Sequence, residues 1–231
     1  MSKVIIIGGG AAGYFTAINA KEKNPELEIT ILEKGKDVLQ KVKISGGGRC
    51  NVTHACFEPK ELVKFYPRGE KELLGPFHQF MTGDTFEWFD KKGVPLKIED
   101  DHRVFPEANT SQAIIDCFQK SVDTLGIKVF TNHGVNSIFH QENKWIVNTK
   151  AQTFEADKLV IAAGSSKKVW ELCESLNHAI VAPVPSLFTF NINDKRLVDL
   201  LGISVANATV KIANTKLEAS GPLLITHWGM S

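Results

Sequence analysis

The feature that most constrains this chain is its opening. Lys3-Val4-Ile5-Ile6-Ile7 runs directly into Gly8-Gly9-Gly10-Ala11-Ala12-Gly13, and Glu33 follows about twenty residues after the last of those glycines. Val4 to Ile7 is a β-branched apolar run without helical period, which suits a strand buried on both faces of a parallel sheet. Gly8 permits a tight turn, Gly10 lets backbone approach a pyrophosphate with no Cβ in the way, and Gly13 lets the next helix pack close to the sheet. That helix is expected over 11–23. Ala11 and Ala12 stand in its first turn, where unpaired amides and the positive dipole end would face phosphates. Asn24-Pro25 breaks the chain, a second strand is expected over 27–32, and Glu33 stands at its carboxyl end, placed to accept hydrogen bonds from ribose hydroxyls. A glycine turn that follows a strand, opens a helix and has its acidic partner implies an adenine dinucleotide site. Glu33 argues against a 2′-phosphate there, with Lys34 beside it as a further candidate contact.

Charge narrows the partners. The chain has 27 Lys plus Arg against 26 Asp plus Glu, a net charge of +1, so no global field draws it to nucleic acid or to an anionic membrane. No apolar stretch approaches membrane-spanning length, and a cytoplasmic location is expected. Cys50, Cys56, Cys117 and Cys173 show no C-x-x-C spacing and no zinc-like pairing with histidines, so four reduced thiols and no metal are expected.

FAD and NAD share the glycine fingerprint, so the remainder of the chain must choose. A helix is expected over 111–125 and a strand over 127–130. Three short strands over 135–139, 144–148 and 153–155 then suit an antiparallel meander, and Leu159 to Gly164 reads as a second buried strand ending in glycine. That order fits flavoproteins of the glutathione-reductase type, whereas nicotinamide dehydrogenases continue with further βα units. Val135, at the start of the meander, and Ala163-Gly164, where backbone returns to the cofactor, join the candidate contacts.

Lys43-Ile44-Ser45-Gly46-Gly47-Gly48-Arg49-Cys50-Asn51-Val52-Thr53 is the most unusual segment. Three glycines bracketed by Ser, Lys and Arg can fold into a nest of backbone amides suited to a phosphate or an electron-rich flavin edge. Lys43, Ser45, Gly46, Gly47, Arg49, Cys50 and Asn51 are therefore candidate cofactor contacts, with Arg49 as a fixed cation able to stabilise an anionic reduced flavin. Cys50 reads either as a thiol activated by that cation or as a packed structural thiol. No residue is assigned a catalytic role. The aromatic residues between Gly75 and Gly93 read as core, and Lys91-Lys92 as a solvated face.

The opening fingerprint, Lys43 to Thr53, Arg103-Val104-Phe105-Pro106, Leu159 to Gly164 and the terminal Gly221 to Ser231 together resemble the aminoacetone-oxidase-like, BaiN/RdsA-type family of NAD(P)/FAD-dependent oxidoreductases. The resemblance implies an α/β fold: a glutathione-reductase-type FAD-binding Rossmann-like domain with a three-stranded β-meander, interrupted by a mostly β insert. The FAD-binding domain would occupy 1–184 and the insert 185–231, with strands over 188–192 and 208–213. It also implies FAD as cofactor, NAD(P)H as electron donor and a small organic molecule as substrate; it leaves the oligomeric state open. Relatives continue beyond the motif in which Ser231 stands, so the chain is expected to be an N-terminal portion that holds FAD weakly or not at all and lacks turnover by itself. A single-Rossmann NAD dehydrogenase and a non-catalytic dinucleotide- or RNA-binding module are the alternatives from other classes.

Overall fold

Strand β1 (Lys3–Ile7), helix α1 (Ala11–Lys23) and strand β2 (Glu28–Leu32) form, in the computed structural model, where the apolar pattern places them. The structure describes residues 1–66, 68–184 and 189–231. After β2 the chain makes a long excursion through α2 (Gln40–Gly48), β3 (Thr53–His54), α3 (Pro59–Leu62), α4 (Glu70–Phe77), α5 (Thr82–Lys91), β4 (Leu96–Ile98) and β5 (Arg103–Pro106). It returns through α6 (Ser111–Thr124) to β6 (Lys128–Phe130), makes the meander β7 (Val135–Gln141), β8 (Lys144–Thr149) and β9 (Thr153–Ala156), and ends this unit with β10 (Lys158–Ile161) and α7 (Lys167–Glu174). The compact unit so formed is Met1–Ala179.

Its central sheet has the order β10-β1-β2-β6 and is parallel throughout, with Ile6 opposite Ile31 and Val160. Because successive side chains alternate across a strand, the apolar run of β1 feeds two cores at once. Val4 and Ile6 join Ile29 and Ile31 against Tyr14, Ile18, Ile114 and Phe118 of α1 and α6. Ile5 and Ile7 join Leu32 against Val135, Ile138 and Val147 of the meander and Val169 of α7. The result is three layers, with α1 and α6 on one face of the sheet and the antiparallel meander β7-β8-β9, flanked by α7, on the other. This is the α/β class expected from the sequence, meander included.

The excursion contributes Trp88 and Phe89 to the helical side of the core, as their spacing suggests. Lys92 departs from expectation. It is not on a solvated face: its ammonium pairs with Glu22 at 2.6 Å and lies 4.7 Å from the centroid of the Trp88 ring. The ammonium lies over the indole and has a carboxylate partner, which a charge count along the sequence does not register.

The second compact unit is Ile180–Ser231. It contains β11 (Phe190–Asn191), β12 (Ser204–Lys211), β13 (Glu218–Thr226) and β14 (Gly229–Met230) in an antiparallel sheet of order β11-β14-β13-β12. The strand expected over 188–192 is shorter, and Phe188 lies outside the described residues. The strand expected over 208–213 starts earlier, because a register shift between Val205 and Ala208 lets β12 extend back to Ser204. The expected division between Val184 and Pro185 falls at the edge of undescribed residues 185–188. Among the described residues, no helix is long and apolar enough to cross a membrane.

One ionic contact ties the first strand to the meander. Asp157 accepts a hydrogen bond from the Lys3 amide at 2.7 Å and pairs with Lys144 of β8. These hydrogen bonds, Lys144 foremost, hold its carboxyl down at about 2. A depressed carboxylate pKa adds stability above the ordinary value of about 3.9 that is lost as pH falls through the folded value. Asp157→Asn should therefore lower the urea midpoint at pH 6. The gap between variant and parent should close as pH is taken down to about 2, as measured by circular dichroism.

Candidate dinucleotide-binding site

The glycine turn is held from three sides. Gly8 adopts φ +120°, and a Cβ there would stand 2.4 Å from the Ala162 carbonyl oxygen. A Cβ on Gly13 would stand 2.0 Å from the carbonyl oxygen of Gly8, so α1 begins as close to the β1 turn as backbone permits. Gly10 is the opposite case. It caps α1 with φ −93°, no side chain caps the first-turn amides, and nothing lies within 4 Å of where its Cβ would be. The space above it is open to a ligand, and the first turn of α1 carries no acidic side chain to repel an anion.

Glu33 is more tightly bound than the sequence suggests. Its Oε2 accepts from the Gly9 amide at 2.8 Å and its Oε1 from the Gly35 amide at 2.7 Å. Both oxygens keep lone-pair capacity for hydroxyl donors. Gly9, a position with no assigned role in the sequence reading, now has one: a Cβ there would come within 2.9 Å of the Glu33 Cβ. Its carbonyl accepts from the amide of Leu39, so the same residue fixes the entry to α2.

Two cavities flank this turn. One of about 240 Å³ is lined by Gly8, Glu33, Lys34, Val135 and Ala163, gathering candidates from four separate parts of the sequence. His133 and Lys168 line it as well; the sequence singled out no role for His133 and read Lys167-Lys168 as a solvated face. His133 Nδ1 stands 2.7 Å from the Thr131 carbonyl, a contact in which Nδ1–H is the donor. The other cavity, about 450 Å³, is lined by Ala11, Ala12, Ser45, Cys50 and Asn51 together with Phe15, Trp88 and Phe89.

The glycine loop differs from the expected nest in two respects. Gly46, Gly47 and Gly48 are all left-handed, at φ +55°, +67° and +85°, and a Cβ on Gly46 would lie 2.7 Å from the Asn51 amide nitrogen. The loop is thus a left-handed reversal that folds Cys50 and Asn51 back toward α1. Arg49 is also not a free cation: its Nη1 donates to Glu99 Oε1 at 2.5 Å, and its guanidinium lies 3.9 Å from the Phe105 ring centroid. The Glu99 carboxylate compensates the charge expected to act on a flavin. Lys43 is exposed and offers its carbonyl to Ser111 rather than its ammonium to the cavity. Lys41 lines the larger cavity instead, with its Nζ 2.8 Å from Ser165 Oγ, beside Gly164, which has φ +57°. No spacing in the sequence separates Lys41 from Lys43 as the cavity-lining residue.

Cys50 is buried, with φ +63°. Burial pushes its thiol up, only partly opposed by a hydrogen bond with Ser45. This is a packed thiol, and the activated reading falls with the pairing of Arg49.

A family model, the HI0933-like protein Rossmann domain, matches residues 2–223. The chain belongs to the HI0933-like Rossmann family. It is 23% identical to the 3-dehydro-bile acid delta(4,6)-reductase of Clostridium scindens and 24% identical to the ribosomal RNA dihydrouridine synthase of Haemophilus influenzae, each across 100% of this chain. It spans 58% and 59% of the length of those two proteins. These are names from the family the motifs pointed to. Among solved structures, Thermovibrio ammonificans THI4 matches with a TM-score of 0.51 at 13% identity, over 75% of this chain and 62% of that one, a likeness of fold.

The geometry separates two glycine substitutions. Gly10→Val should leave the thermal unfolding midpoint nearly unchanged while abolishing dinucleotide binding. Gly8→Ala should unfold at markedly lower temperature whether or not ligand is present. For Cys50, alkylation by iodoacetamide at pH 7 should be slower than for a free thiol in urea-unfolded chain, read by mass spectrometry of the labelled peptide.

Proposed function

We propose that this chain supplies the FAD-binding part of a flavin-dependent oxidoreductase that takes electrons from NAD(P)H and reduces a carbon–carbon double bond conjugated to a carbonyl in a small molecule. The observation that carries the cofactor reading is the pairing of an open Gly10 with a Glu33 carboxylate clamped by two backbone amides beside the 240 Å³ cavity. A phosphate group suits the uncapped start of α1, and ribose hydroxyls suit the remaining lone pairs of Glu33. Val135, Gly134 and His133 would border the adenine, and Ser45, Cys50 and Asn51 the flavin end. The flavin, when bound, supplies hydride chemistry. The chain's own contribution is to fix the dinucleotide by backbone, to line the larger cavity with Phe15, Trp88 and Phe89 beside the Lys41 ammonium, and to hold Arg49 paired with Glu99.

The substrate reading rests on what the two relatives' names share chemically. A 3-oxo steroid with 4,6 unsaturation and a uracil ring both present an alkene conjugated to a carbonyl. Two relatives act on ribosomal RNA by name, but a net charge of +1 offers this chain no general attraction for a polyanion, so a small molecule is the better fit.

Titration of the chain with FAD, FMN and NAD, followed by fluorescence, tests the cofactor. FAD is expected to bind most tightly. Glu33→Gln, which keeps one acceptor oxygen but loses the charge-assisted bonds, should weaken FAD by roughly ten- to a hundredfold. Equal affinity for FMN, or NAD binding in place of FAD, would overturn the assignment.

A further inference from the structure

Two backbone ties hang separate parts of the chain from the end of β1 and its glycine turn. The Leu39 amide donates to the Gly9 carbonyl at 2.8 Å, which sets the start of α2 and places Lys41 in its first turn. The Ala162 amide donates to the Ile7 carbonyl at 2.8 Å, which sets the chain just after β10 and places Ser165 three residues further on. The two side chains meet: Lys41 Nζ donates to Ser165 Oγ at 2.8 Å. That ammonium also lies 3.8 Å from where a Cβ on Gly164 would stand.

No carboxylate accounts for this arrangement. Lys41 takes part in none of the ion pairs among the described residues. Among the described residues lining the 450 Å³ cavity it is the one that carries a charge, and it shares that cavity with Ala11 and Ala12, in the first turn of α1 that no side chain caps. Lys41 and Ser165 are both exposed, so an entering ligand reaches them. An ammonium has three donors, of which Ser165 accepts one, and a hydroxyl that accepts from a lysine keeps its own proton to donate. The pair therefore offers several donors and a positive charge at one place, which suits an oxyanion with two or more oxygens. Lys41 lines this cavity and not the smaller one, where Glu33 and Val135 stand, so it lies on the side of the turn away from the adenosine end.

We infer that Lys41 and Ser165 form a clamp for the second phosphate of the dinucleotide, the one remote from adenosine, and that this clamp makes the site select a diphosphate over a monophosphate. The inference rests on the dinucleotide reading proposed above. Lys41 supplies the charge, while Ser165 orients its ammonium and adds a hydroxyl donor.

Calorimetric titration of the 231-residue chain with adenosine monophosphate and with adenosine diphosphate tests the clamp, because the two probes differ only in the second phosphate. The parent should prefer the diphosphate by about tenfold or more, and the preference should shrink as salt is raised. Lys41→Met should lose about tenfold in affinity for the diphosphate and leave the monophosphate unchanged, so that the preference disappears. Ser165→Ala should lose less, and Lys41→Arg, which keeps the charge, should retain most of the parent's preference. Equal affinity of the parent for the two probes would overturn the inference, and that measurement needs no variant to fold. It would fall equally if Lys41→Met bound the diphosphate like the parent, or lost both probes to the same extent. Each of these outcomes leaves binding at the adenosine end intact, whereas a parent that binds neither probe overturns the dinucleotide reading and the clamp together.

Discussion

The backbone of Gly9 is the joint on which the first unit depends. Its N–H donates to the Glu33 carboxylate and its carbonyl accepts from Leu39, so one residue without a side chain links the ends of β1 and β2 and the start of α2. Glu33 is anchored again through its own backbone, donating to the Phe130 carbonyl and accepting from the His133 amide. A hydrogen bond to a carboxylate contributes about 1.5–3 kcal/mol, and here it also fixes geometry. The acidic side chain has its place set before any ligand arrives, and preorganisation of this kind lowers the ordering cost of binding.

That joint explains why the opening carries three glycines in a row where the turn itself requires only Gly8. Gly8 answers to the backbone of Ala162, Gly9 to the side chain of Glu33, and Gly10 has no protein neighbour at its Cβ position. The three are constrained respectively by the sheet, by the acidic partner and by the space the chain leaves open. The later glycine run follows a different logic. Gly46 to Gly48 reverse the chain in left-handed conformation so that Asn51 returns to α1, while Arg49 is turned onto Phe105 and Glu99. The Glu99 carboxylate compensates the Arg49 charge there.

The family relationship and the structure speak to different levels. Membership covers nearly the whole chain, and the three-layer arrangement accounts for a dinucleotide fold that unrelated chemistries share. Relatives at similar identity have different names, one for a bile acid and another for ribosomal RNA.

The parallel strands, α1, α6 and the meander were legible in the sequence, because each rests on local chemistry: β-branched runs of four or five residues, glycines at fixed offsets, polar breaks between short alternating segments. Gly8, Gly10, Gly13 and Glu33 were legible for the same reason, since their spacing alone implies a turn with an acid facing it. What the sequence could not decide was which polar side chain meets which. Arg49 with Glu99, Lys92 with Glu22 and Lys41 with Ser165 are separated by 50, 70 and 124 positions, and only the packing of the excursion onto the sheet brings them together. The ammonium of Lys43 and that of Lys41 look equivalent on paper, but α2 turns one outward and the other along a cavity wall. The packing of His54 on Phe65, with its carbonyl held by the Thr82 hydroxyl, is likewise decided by three-dimensional enclosure, which no spacing along the chain encodes.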